Sequence, residues 1–136
     1  MPTASATGVS RDQRQHPRIK VPAMYTLVRA RVLGSSKYTW TGHIYDVSVG
    51  GMRFELDMPI EPGTQLELRG MLPGSGHTTF RAIGRVVRIH SEPDNPGPVV
   101  LGLQFESFQS PMDRHRLAEY IDCRMQALAT QLRRAA

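Results

Sequence analysis

The stretch "YTWTGHIYDVSVGGMRFEL", Tyr38–Leu56, carries the reading of the fold. Its first ten residues are dominated by aromatic and β-branched side chains, the composition of a strand. Gly50-Gly51 interrupts the run, and "GMRFEL" resumes it as a second short strand. Upstream, "AMYTLVRARVL" is β-rich and partly alternating. Downstream, "EPGTQLELRGML" makes a turn and then alternates at Leu66 and Leu68. "TTFRAIGRVVRIH" reads as a long strand in which Gly84 marks a bulge or bend. "PVVLGLQFESF" is the last such segment. Gly, Pro, Asn or Asp bounds each of them. Six short strands in about 85 residues predict a small antiparallel barrel or sandwich.

The two ends of the chain differ from this middle. Residues 1–13 are small and polar without periodicity, the signature of a flexible tail. At the other end, Ser110 to Asp113 ("SPMD") has a cap, a proline at the first helical position and an acid three residues after the cap. Leu117, Ile121, Met125, Leu128 and Leu132 then recur at helical spacing. The expected organisation is a tail over 1–13, a barrel over 14–109 and a long helix over 110–136. The first turns of that helix should pack on the barrel. Its last turns should protrude or pair with a second copy, leaving monomer and homodimer both open.

Fifteen of the 17 basic residues are arginines, the net charge is +5, and the chain is 136 residues long. The excess favours anionic partners. Cys123 is the single cysteine, so an internal disulfide and a thiolate metal site within one chain are excluded. It reads as an inert helix residue. The five histidines (16, 43, 77, 90 and 115) lack metal-site spacing, and no metal is expected. The start lacks the apolar run of a signal peptide, and no segment reaches the roughly 20 apolar residues of a membrane span. Together with the lone cysteine, this points to a cytoplasmic protein. No nucleophile-elbow pattern surrounds Ser48, and no catalytic constellation appears, so an enzyme is not expected.

Two short motifs carry the chemistry. In "RQHPRIKV", Arg14 and Arg18 set two planar cationic forks at the junction of tail and barrel. In "DVSVGG", Asp46 and Ser48 share a face if the segment is extended. A carboxylate is acceptor-only and suits the two N–H donors of guanine's Watson–Crick edge. Arginine suits guanine O6 and N7, stacks on purines and grips phosphate. The paired glycines turn the chain and let a flat base approach the backbone.

Arg-x-x-x-Arg followed by Asp-x-Ser-x-x-Gly resembles the paired motif of the PilZ domain family. "HPRIKV" and "GLQF", Gly102–Phe105, are similar to the family as well, over roughly residues 13–122. The resemblance implies a six-stranded antiparallel barrel that binds cyclic di-GMP through Arg14, Arg18, Asp46, Ser48 and Gly51. It also implies a receptor without catalysis or bound cofactor. Such a receptor would change its N-terminal conformation and partner surface on binding, in a process such as motility, pilus function or exopolysaccharide synthesis. The number of ligands per chain and the downstream protein stay open. Arg53, Arg81, Arg85 and Arg88 read as surface residues, any one of which could add a contact. Trp40 reads as core or rim, and His16 as packing beside Pro17. Two other functions fit the same composition: a ligand-independent adaptor, and a general nucleic-acid-binding barrel.

Overall fold

The computed structural model describes residues 16–36, 40–74, 78–90 and 99–135. The expected tail over 1–13 and Arg14 lie outside the described residues. Seven strands and one helix follow in order: β1 (Ile19–Lys20), β2 (Leu27–Val32), β3 (Trp40–Val47), β4 (Gly51–Leu56), β5 (Gln65–Leu72), β6 (Thr78–His90), β7 (Val99–Phe108) and α1 (Pro111–Ala135). Six of the strands are those read from the sequence. β1 is an addition: two residues are too few to show a period.

All pairings are antiparallel, in the order β1-β3-β2-β5-β6-β7-β4, and β3 also pairs with β4. That last pairing closes β2 to β7 into a six-stranded barrel. Closure removes the open edges that would invite aggregation. β1 lies beside β3 beyond the end of β2, with Ile19 opposite Val47 and Lys20 opposite Asp46. A short 3-10 turn, Ala23–Tyr25, leads from β1 into β2. Thr26 then pins this crossing, because its hydroxyl accepts the Ile44 N–H at 2.7 Å.

Alternation fills the barrel. Val28, Ile44, Phe54, Leu56, Leu66, Leu72, Phe80 and Leu101 are all fully buried. Gly70 and Gly84 also face inward, where a Cβ would strike the Phe80 ring at 2.6 Å and the Leu103 side chain at 2.3 Å. The irregularity expected at Gly84 is present, but the extra residue is Glu106 of β7: Ile83 pairs with Ser107 and Gly84 with Phe105. Trp40 packs half-buried against the core.

The helix starts as its sequence requires. The Ser110 hydroxyl caps the Asp113 N–H at 3.3 Å and donates to Asp113 Oδ2 at 2.7 Å. Asp113 Oδ1 accepts the Arg81 N–H of β6 at 2.9 Å, so the cap also ties the helix to the barrel. Burial pushes the Asp113 carboxyl up, but the bonds from Ser110 and Arg81 and the Arg116 charge outweigh it and hold its pKa below the ordinary value. Leu117, Tyr120 and Ile121 are buried. Beyond them Met125, Leu128 and Leu132 of the same stripe are 40%, 55% and 65% exposed, so only the first half of the helix packs on the barrel.

Candidate functional site

Bulges decide which side chains face outward here. Ile44 of β3 pairs with Phe54 in the core, but the next pair is Asp46 with Arg53, leaving Tyr45 as an extra residue. A bulge shifts the alternation by one. It therefore turns Asp46 to the outer surface although Ile44, two residues before, points inward. A second bulge at Val87 does the same for β6: Val86 pairs with Leu103 and Arg88 with Gly102. Arg53 in turn pairs with Gly102 across β4 and β7. A single cross-strand row results, running Lys20, Asp46, Arg53, Gly102, Arg88 over five strands.

Asp46 is buried to 6% exposure and held from two sides. Arg18 Nη1 donates to Oδ1 at 3.3 Å and Arg53 Nε to Oδ2 at 2.9 Å. Arg53 also lies over the Tyr45 ring, 5.4 Å from its centroid. The Tyr45 hydroxyl donates to Glu55, and that bond to a carboxylate, with burial, raises the tyrosine pKa. Arg88 has no hydrogen-bond or ion-pair partner among the described residues. Arg53 and Arg88 straddle Gly102 two strand spacings apart, about 10 Å between backbones. Between them the absence of a side chain at Gly102 leaves a flat floor.

Arg18, Arg53, Gly102 and Arg88 line a cleft of about 670 Å³ that also reaches Gly50, Gly51 and Gln104, whereas Asp46 is held by two of these arginines without itself lining it. Its charged lining consists of Arg18, Arg53 and Arg88, beside His90 and with no acid among the described lining residues. The volume falls within the ordinary range of small-molecule sites, and the charge selects an anion.

Of the residues expected from the sequence, Arg18 and Asp46 meet directly, and Gly51 lies in the wall beside them. Ser48 instead folds onto its own turn: its Oγ accepts the Gly50 and Gly51 N–H groups at 3.0 and 3.2 Å. The positive-φ glycines of the described residues are Gly34 and Gly63, so the Ser48–Gly51 turn does not require a left-handed residue. What Gly51 admits is the barrel itself, because a Cβ there would lie 2.3 Å from the Leu103 carbonyl oxygen. His16 sits against Gly50 rather than merely beside Pro17.

Arg53 and Arg88, read from the sequence as surface residues either of which could add a ligand contact, both line the cleft. The signal for them was strand register, and both registers depend on bulges. Arg85 is surface as expected, tied to Glu106 at 2.9 Å and to the Gly63 carbonyl at 2.8 Å. Arg81, on the same strand β6 as Arg88, is outside the cleft lining. Among the described residues, no group of His, Cys, Asp or Glu could hold a metal ion, and no helix is long and apolar enough to cross a membrane.

A family model, the PilZ domain, matches residues 12–123. The chain belongs to the PilZ domain family. Solved structures agree on the PilZ fold. The Escherichia coli YcgR complex with c-di-GMP is 18% identical with a TM-score of 0.67, covering 91% of this chain and 51% of that one. The Bacillus subtilis inhibitor of motility MotI/DgrA is 20% identical with a TM-score of 0.65, covering 85% and 52%. The K. pneumonia MrkH–c-di-GMP complex is 20% identical with a TM-score of 0.60, covering 91% and 56%. The chain thus spans about half the length of these PilZ proteins, and at such identities the likeness establishes the fold. No curated protein sequence matches the chain significantly.

Proposed function

We propose that the chain is a cyclic di-GMP receptor whose ligand lies in the arginine-lined cleft between the β3–β4 turn and β7. The observation that carries this is a cleft lined by Arg18, Arg53 and Arg88, two of which hold the Asp46 carboxylate. Guanine needs a paired acceptor for N1–H and N2–H, and the phosphodiesters need cations; both are supplied within one row. Asp46 takes the guanine edge. Arg18 and Arg53, released from Asp46, turn to phosphate or to the guanine O6/N7 edge. Arg88 and Arg53 flank a base laid on Gly102. Ser48 holds the turn in shape, and Gly51 keeps β4 seated on β7. Arg14, the other half of the paired motif, adds a second fork from outside the described residues.

The carboxylate is already satisfied before any ligand arrives. Binding therefore exchanges the Asp46–arginine pairs for Asp46–guanine bonds, and the arginines follow the phosphates. Because Arg18 immediately precedes β1, this exchange pulls on the N-terminal segment, which is the route to a changed partner surface. Ile19 and Lys20 are already paired to β3, so the rearrangement is confined to residues before them. The role is that of a non-enzymatic adaptor whose output reaches a second protein.

The same satisfied carboxylate favours a second reading, a barrel that uses the Asp46–arginine network structurally and acts without nucleotide. Calorimetric titration with cyclic di-GMP separates the two: saturable heat with one set of sites on the cleft supports the receptor, and its absence supports the ligand-independent adaptor. A general nucleic-acid barrel fits poorly, since Tyr25 is the single strongly exposed aromatic among the described residues and single strands need stacking platforms.

A further inference from the structure

The apolar stripe that seats α1 on the barrel runs on past the barrel. Ala118, Ile121, Met125, Leu128 and Leu132 alternate by three and four residues, the spacing of a coiled-coil seam. Ile121 is buried, whereas Met125, Leu128 and Leu132 are exposed in line with it. Single exposed apolar residues are ordinary on a surface, but a continuous apolar seam marks a contact. Beside Ile121 the helix borders a cavity of about 130 Å³, lined by Pro17, Val49, Arg114, Ala118, Ile121 and Asp122. Asp122 is exposed and has no hydrogen-bond or ion-pair partner among the described residues. Arg133, also exposed, lies eleven residues further on. That is close to three full turns, so both stand on the same flank of the seam. Arg133 Nη2 donates to the Thr130 hydroxyl at 3.3 Å, and no acid engages the guanidinium among the described residues.

We propose that the outer half of α1 pairs antiparallel with the same half of a second copy of this chain. With Met125 facing Leu128 of the second copy, the layers of the two seams match along their length. Ile121 then meets Leu132 of the second copy, and the adjoining cavity gives that leucine a hole to enter. The same setting brings Arg133 of the second copy to Asp122. Two-fold symmetry repeats each contact, giving two ion pairs and two filled cavities. A parallel pair in register would instead set Asp122 against Asp122 and Arg133 against Arg133, so charge selects the antiparallel one. A standard stable interface buries about 800 Å² per partner, and two helix ends bury less, so the dimer is weak and reversible, with a dissociation constant of about 10–100 µM. The inference stands on the helix alone and does not require the nucleotide site.

The test is sedimentation equilibrium of the whole chain without nucleotide, over a concentration series reaching about tenfold above that constant. Wild type passes from monomer to dimer along the series. Leu128→Glu, which sets a carboxylate in a central layer, weakens association more than about tenfold. Asp122→Arg and Arg133→Asp each weaken it about fivefold, since each turns two attractions into repulsions. The double variant, Asp122→Arg with Arg133→Asp, returns to within about twofold of wild type, because the exchanged charges pair again. Far-UV circular dichroism confirms that each variant is folded. A wild type that stays monomeric throughout the series would overturn the proposal. So would a dimer untouched by Leu128→Glu, or one weakened by the single charge reversals and not restored by the double.

Discussion

Replacing Asp46 by Asn leaves the shape of the site intact and removes half of its acceptor capacity. Two quantities set the outcome. In the folded chain Asp46 holds Arg18 and Arg53, whose side chains are 32% and 49% exposed. Solvent screens such pairs to about 0.2–1 kcal/mol each, so the loss of fold stability should be about 1 kcal/mol. A bidentate base contact supplies about 1–3 kcal/mol of discrimination. Displacing an arginine from Asp46 offsets part of that, which leaves about 1–2 kcal/mol, or roughly tenfold in affinity. Wild type should prefer cyclic di-GMP over cyclic di-AMP by about two orders of magnitude, since adenine lacks the paired donors. Asp46→Asn should narrow that ratio about tenfold through weaker cyclic di-GMP binding, with its melting temperature only slightly lower. Isothermal titration of both variants with both nucleotides reads this. An unchanged ratio in a folded Asp46→Asn chain would refute the base-reading role of Asp46.

Other perturbations follow from the same geometry. Arg18→Ala and Arg88→Ala should each weaken cyclic di-GMP about tenfold in calorimetry, each removing a charge-assisted fork while leaving the core untouched. Gly51→Ala should lower stability by several kcal/mol in urea unfolding, because the new Cβ would meet the Leu103 carbonyl oxygen at 2.3 Å. The Asp113 pKa is held below its ordinary 3.8, so its contribution to stability is complete above that value and is lost as pH falls through the lowered one. The melting-temperature gap between wild type and Asp113→Asn should accordingly shrink between neutral pH and about pH 3. Tyr120→Phe should leave stability unchanged or raise it by up to about 1 kcal/mol, since the Tyr120 hydroxyl is buried without a hydrogen-bond partner among the described residues.

The barrel was legible because six segments show β composition between turn residues, and the helix because its cap, proline and stripe fall in order. β1 was not legible: a pair of residues, Ile19 and Lys20, has no period and is fixed by where Val47 and Asp46 happen to lie. The site was legible as far as its local motifs reach. Arg18 and Asp46, 28 residues apart, do meet. Strict alternation misled beyond that point. It would carry Asp46 inward with Ile44 and keep Arg88 on the face opposite Arg85. The bulges at Tyr45 and Val87 reverse both, and an inserted residue leaves no mark in composition. A second demand on Gly51 was hidden for a related reason. Beside the ligand approach read from the motif, the backbone that comes close to Gly51 belongs to β7, some fifty residues downstream in the sequence. Arg29, Arg69 and Arg81 likewise come side by side only through the pairing of three strands.

The proposed receptor role requires cyclic di-GMP to bind on the Asp46–Arg53–Gly102–Arg88 row. The most direct measurement is a two-dimensional amide NMR titration of the isotopically labelled chain with the nucleotide. Saturable shifts are expected at Arg18, Asp46, Gly51, Arg53, Arg88 and Gly102, with Arg29, Arg69 and Arg81 unmoved. Shifts confined to Arg29, Arg69 and Arg81, or no shifts at saturating nucleotide, would overturn that role.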